Sequence, residues 1–313
     1  MDPLYLGLEL GAAVLFITAA FVAVRRGRLP LLVLLSAAVF GILLEQGDQV
    51  IFETYEYSPG FLLAVDRAPV VIALTWAVIL VGAIRITDAL GVRGAYAPFV
   101  DALVATSLDL GFDAVAIRMG LWTWRGVGPA DGWFGVPAGN FYAWLFVILG
   151  FSIFTRWVRH AAHVRPAREW LQLATPAPAF GLLLASIAVF AELKGRLDPA
   201  PGGGLGIFAV VLAAFVAAAV VGVARSPARE PEPGPQAIIE LRLAFVVRLV
   251  IHVFFLAGLL VLGLHVREPM LLAVALGLLA LELALAWFLE DRWARRGAPQ
   301  TAGRRPYAAA RTR

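Results

Sequence analysis

The sequence predicts an all-α, polytopic integral membrane bundle of about nine transmembrane helices, or eight if the fourth is miscounted. Three observations predict it. The 313 residues are 61% hydrophobic and only 15% charged. Apolar runs near 20 residues recur along the chain, about the length a helix needs to cross the hydrocarbon core. Most positive residues sit in short loops and in the C-terminal tail, where they orient spans. Backbone groups in hydrocarbon must bond internally, so these runs are helices and not strands.

The first run, 4–24, is too long for the apolar core of a cleaved leader and ends in Arg25, Arg26 and Arg28. It is read as a retained span. The others are placed at 30–46, 69–87, 98–118, 140–158, 175–193, 205–224, 243–265 and 269–289. The Gly-rich stretch Pro201–Gly206 follows no strand, so it is a turn before the seventh span and not a nucleotide loop. Ser226–Gln236 (SPAREPEPGPQ) is a Pro- and Glu-rich connection expected to be flexible. Residues 1–296 are one membrane domain, and 297–313 are a basic tail expected to be disordered.

If the N-terminus faces outward, the inner loops and tail collect 18 positive residues against 6 in the outer loops, with Arg242 and Arg248 left aside. That bias predicts N-out, C-in and an odd number of spans. The expected location is a prokaryotic plasma membrane. The absence of cysteine excludes disulfides, thiolate metal sites and redox dithiols. A formal charge of +4, carried by loops and tail, gives no reason to expect nucleic acid.

The most informative stretch runs from Asp109 to Trp144, DLGFDAVAIRMGLWTWRGVGPADGWFGVPAGNFYAW. Asp109 and Asp113 are four apart and share one face of the fourth span. Asp101 lies roughly 80° to 120° around the same helix, at about 100° per residue. Two carboxyls this close in low dielectric cannot both ionise cheaply, which makes one a candidate general acid. The structural alternative is a hydrogen bond to a neighbouring helix or a pair with Arg118. Intramembrane acids are functional by default.

Topology brings further groups to the same membrane face. Glu45 ends the second span. Glu53, Tyr55, Glu56 and Tyr57 fill the loop after it. Trp122 and Trp124 follow the fourth span, and Asn140, Phe141 and Trp144 begin the fifth. An aromatic belt at headgroup level explains Trp133 or Tyr57. It does not explain Glu45, Asp109 and Asp113. His160 and His163, three apart, do not make the His-rich set of a membrane di-iron site, and no metal or cofactor is expected. Arg248, His252 and Glu282 are expected to pair across the last two long spans, and Glu9 to make a similar contact near the start of the chain.

Carboxylic acids among aromatics suggest acid–base chemistry on an apolar substrate. A buried acid can protonate an alkene, aromatic faces can hold the resulting cation, and a second carboxylate can direct water onto it.

The run D-L-x-x-D at 109–113, then G-L-W-x-W at 120–124, F-G-V-P at 134–137 and N-F-x-x-W at 140–144 resembles the membrane carotenoid biosynthesis hydratases. Glu45, Tyr55, Tyr57, Pro59, Gly60, Pro69 and Trp76 are similar to that family's earlier acidic and aromatic block, so the resemblance covers about residues 40–150. One departure is Asp113-Ala114, where the family usually has Asp-Pro.

The resemblance implies a cofactor-free hydratase adding water to the C1=C2 bond at the ψ end of an acyclic or monocyclic carotenoid, such as lycopene, γ-carotene or bisanhydrobacterioruberin. The expected catalytic residues are Asp109, Asp113 and Glu45. The expected substrate-binding residues are Trp122, Trp124, Asn140, Phe141, Trp144, Tyr55, Tyr57 and Trp76. The expected partners are the carotenoid, membrane lipid and other carotenoid enzymes. Two rivals stand beside this reading. One is an intramembrane prenyltransferase, for which Asp109-x-x-x-Asp113 would be half of a Mg²⁺–diphosphate site. The other is a non-catalytic carotenoid carrier or assembly partner.

Overall fold

The computed structural model describes residues 2–226 and 234–297, with side chains up to residue 292. The helices are α1 (Pro3–Arg26), α2 (Arg28–Gly47), α3 (Val70–Leu90), α4 (Ala97–Arg118), α5 (Ala138–Val164), α6 (Pro176–Leu197), α7 (Leu205–Ala224), α8 (Pro235–Val261), the short α9 (Leu264–Arg267) and α10 (Pro269–Gly297). Among the described residues, eight are long and apolar enough to cross a membrane. The exception among the long helices is α4. Its 22 residues reach about 33 Å at 1.5 Å per residue, but Asp101, Asp109, Asp113 and Arg118 interrupt its apolar surface. The nine predicted runs fall on these nine helices. Most of the predicted tail and of the 226–236 connection lies outside the described residues.

The main shift is at α8, which begins at Pro235 and not at 243. The hydropathy run missed two turns because they carry charges that are paired in the fold. Glu240 is buried and pairs with Arg26 and Arg85, and Arg242 bonds Glu290.

Helix α4 is the centre of the bundle and packs against α3, α5, α7, α8 and α10. Its carboxyls are thereby kept from lipid: Asp101, Asp109 and Asp113 are each no more than 2% exposed. By contrast α1 leans on α2, α3 and α8 and leaves Leu10, Val14 and Ile17 exposed on its outer side, as expected of a lipid-facing helix. Gly41 fixes the approach of α2 to α3. A Cβ there would lie 2.8 Å from Ala73 Cα and 3.0 Å from Trp76 Cβ. One turn later on α2, that closeness lets Glu45 meet Trp76.

The loops at the site end contain strands. The first, β1 (Tyr55–Tyr57), pairs antiparallel with the fourth, β4 (Trp122–Trp124); β2 (Ala64–Val65) pairs with β3 (Ala68–Pro69). In the sequence reading these residues fall in the connections between spans, with no strand. In the β1–β4 ladder Tyr55 faces Trp124 and Tyr57 faces Trp122, with Glu56 opposite Thr123. Opposed residues point to the same side, and neighbours alternate. The four aromatics therefore cover the bundle as a lid, while Glu56 and Thr123 face outward. Arg125 ties the outer side to Glu53 and Glu56.

Candidate active site

Each acidic group is set by its own element. Glu45, 4% exposed, sits in the last turn of α2. Its Oε1 accepts from Trp76 Nε1 at 2.7 Å, and its Oε2 accepts from Tyr57 Oη at 2.5 Å and from the Tyr55 hydroxyl. Burial, and then the Glu45 carboxyl, push both phenols well above the usual tyrosine range. They stay protonated and act as donors. Three donors on one carboxyl is an arrangement suited to an anion.

Across the site, the α4 pair meets the first turn of α5. Asn140 Nδ2 donates to Asp109 Oδ2 at 2.6 Å and to Asp113 Oδ2 at 2.8 Å. Trp122 Nε1 donates to Asp113 Oδ1 at 2.8 Å. One amide thus bridges the two carboxyls that the helical spacing stacked on one face. No cation joins them among the described residues. Arg118, the structural partner considered from the sequence, bonds Glu268 at 2.7 Å and the backbone oxygen of Phe134 at 2.7 Å. Phe134 has φ 49° and Gly135 φ 82°. The F-G-V-P run is therefore a tight left-handed turn that Arg118 clamps to the end of α4.

An apolar cavity of about 210 Å³ lies beside this cluster. Its polar wall is Glu45, Asp109, Asp113 and Asn140, and its aromatic wall is Trp76, Trp122, Trp124 and Trp144. Trp76 and Trp144 have centroids 4.2 Å apart. Further lining comes from α1, α3 and α8, including Gly7, Gly11, Ile79, Val250 and Phe254. A Cβ at Gly7 or Gly11 would meet nothing within 4 Å. The cavity thus extends from the acids toward the lipid-facing side of the bundle.

Of the residues singled out from the sequence, Glu45, Tyr55, Tyr57, Trp76, Asp109, Asp113, Trp122, Trp124, Asn140 and Trp144 come together around this cavity. Phe141 does not line it. It lies one position on from Asn140, about 100° around α5, and packs against Phe208 of α7 at 5.8 Å. Tyr57, which a headgroup belt would explain, is a Glu45 ligand, while Trp133 bonds the Leu110 carbonyl at 3.1 Å. Helix α4 runs unbroken through Ala114.

Other polar groups resolve into structure. Arg248 pairs with Glu282 at 2.6 Å, with His252 3.9 Å from the same carboxyl. Glu9 makes no pair between helices; its Oε1 accepts from the Leu62 N–H at 2.6 Å in the lid loop. Sequence reasoning missed the lining from α1 and α8, because Gly7, Gly11, Val250 and Phe254 look like any lipid-facing positions.

A family model described as "Carotenoid biosynthesis protein" matches residues 4–212. It reaches well beyond the 40–150 block of the resemblance and runs from α1 into α7, with every residue of the acid cluster inside it. No curated protein matches, and no solved structure matches. The chain belongs to the carotenoid biosynthesis protein family.

Proposed function

We propose that the protein is a cofactor-independent carotenoid 1,2-hydratase. It would add water to the C1=C2 bond at the ψ end of an acyclic or monocyclic carotenoid, in a prokaryotic plasma membrane with N-out, C-in orientation. The observation that carries this reading is the bridged pair Asp109–Asn140–Asp113, held without a cation among the described residues at the head of an apolar cavity walled by tryptophans.

The chemistry follows from that geometry. A carboxyl of the pair protonates C2 of the terminal alkene, and a tertiary cation forms at C1. The faces of Trp122, Trp144 and Trp76 stabilise the cation, an attraction worth about 2 kcal/mol or more when desolvated. Water attacks C1, and a carboxylate takes the released proton. A cavity of about 210 Å³ is smaller than the roughly 300–1,000 Å³ of pockets that enclose a drug-sized ligand. It suits one end of a long polyene, the remainder leaving between α1 and α8 into lipid.

A diphosphate-using prenyltransferase is less well supported. Arg85, Arg156 and Arg159 gather around Asp88 and Asp101. Asp101 precedes Asp109 by eight residues, about 12 Å of helix, so these arginines are far from the pair. A carrier would need the groove but not the bridged acids.

The test is expression in a lycopene-producing bacterium with pigment analysis by mass. The reading expects products heavier by one or two waters. An unchanged pigment profile across lycopene, γ-carotene and bisanhydrobacterioruberin, from a well-folded protein, would refute it.

A further inference from the structure

A second cavity, of about 580 Å³, lies behind the acid cluster between α2, α5 and α6, under the β1–β4 lid. The two cavities divide the polar residues unevenly. Asp109, Asp113 and Trp122 line only the first, and Asp48, Thr54, Arg125 and Lys194 line only the second. Glu45, Tyr55, Trp76, Trp124, Asn140 and Trp144 line both and form the partition. Within it, Trp124 is 8% exposed, and its indole N–H lies near the Asp113 carboxyl without closing a hydrogen bond of good geometry to it. Glu45 is also incompletely used. A carboxylate offers about four lone-pair sites, and three are taken, leaving one on Oε1.

We propose that the second cavity is the route by which water reaches the reacting carbon, and that Glu45 is the base that receives that water's proton. The inference rests on the hydratase reading and assigns the carboxyls within it. An apolar end group seated in the first cavity shuts out water on that side. The second cavity begins among charged groups at the loop surface and ends at the partition, against Trp124 and the open position of Glu45. A water there donates to Glu45.

When the cation forms, the water oxygen bonds to C1 and one O–H proton passes to Glu45. The other stays as the product hydroxyl. The proton given to C2 came from the Asp109–Asp113 pair. Glu45 then releases its proton to solvent through the second cavity and the pair regains one, so one water is consumed and nothing is oxidised or reduced. Proton donor and proton acceptor are thereby different groups, the pair lining only the first cavity and Glu45 lining both.

The test plugs the second cavity from opposite walls. Ala143 on α5 and Ile187 on α6 line the second cavity and not the first. In Ala143→Phe and Ile187→Trp, hydrated product per folded protein should fall at least tenfold, with Ala143→Gly near wild type. Hydroxyl-radical footprinting gives an activity-free readout. Trp124 and Tyr55 should label in the wild type and be protected in both plugged variants, with Phe254 unchanged. Wild-type hydration by both plugged variants, or a wild-type Trp124 that does not label, would overturn the proposal. Protection by the plugs in a protein that hydrates no carotenoid would support the water route and refute the hydratase reading alone.

Discussion

The two ends of α4 carry the same residue type to different ends. At one end Asp101 is fully buried and meets Arg156, which donates to both its oxygens at 2.9 Å, and Ser152. Arg156 and Arg159 each continue to Asp88 at 2.8 Å. At the other end Asp109 and Asp113 are as deeply buried, yet their partners are an amide and an indole. A guanidinium fixes a carboxylate as a structural ion. An amide and an indole hold a carboxyl in place without fixing its charge. On the proposed hydratase reading, burial alone does not mark the catalytic acid; the identity of the donor does.

The sharpest way to break that comparison is to neutralise each end in turn. Asp113→Asn should lower hydration by about 10²–10⁴-fold, the usual worth of a positioned acid, with membrane yield unchanged. Asp109→Asn should follow it closely. Asp101→Asn should do the opposite. It takes one carboxylate from the half-buried Arg156, which keeps Asp88, and thermal unfolding should fall while activity per folded molecule persists. If Asp101→Asn lost activity without losing stability, the division between the two ends would fail.

Glu45→Gln should cost about 10²-fold or more in turnover, since the amide cannot take a proton. Adding Tyr57→Phe to it should cost little further, because Tyr57 acts through the carboxylate that the first change has already removed. Measured turnover of the single and double variants decides this. Trp122→Phe keeps an aromatic face and removes one donor to Asp113. It should cost about 1–3 kcal/mol of transition-state stabilisation, read as a fall in kcat with KM little changed.

The smallest effect is expected at the Arg248–Glu282 pair, buried between α8 and α10. Either residue changed alone to an apolar one should destabilise the protein. The double change to Met and Leu should be near neutral or stabilising, and in every case activity per folded molecule should hold.

Much of this was legible in the sequence. The runs near 20 residues located the helices because lipid admits little else. The i, i+4 spacing placed Asp109 and Asp113 on one face, and alternation of spans brought Glu45, Trp122 and Asn140 to one end. The lid was not anticipated, although its signal is present. Tyr55-Glu56-Tyr57 and Trp122-Thr123-Trp124 each alternate aromatic and polar at period two, the mark of a strand. Three residues among long apolar runs are easily read as a loop. The start of α8 was misplaced because a hydropathy run cannot see that Glu240 has Arg26 and Arg85 waiting for it. The side lining from α1 and α8 could not be read at all. Which face of an apolar helix turns toward a cavity is settled by packing, and lipid and polyene make the same demands on a side chain.

The central claim is that the Asp109–Asp113 pair delivers a proton to an alkene carbon. The most direct measurement is product mass from purified protein supplied with lycopene in D₂O. The wild type should yield 1-hydroxy product with one carbon-bound deuterium at C2 for each water added, and Asp109→Asn/Asp113→Asn should yield none although folded. Turnover by that double variant at the wild-type rate would contradict the account.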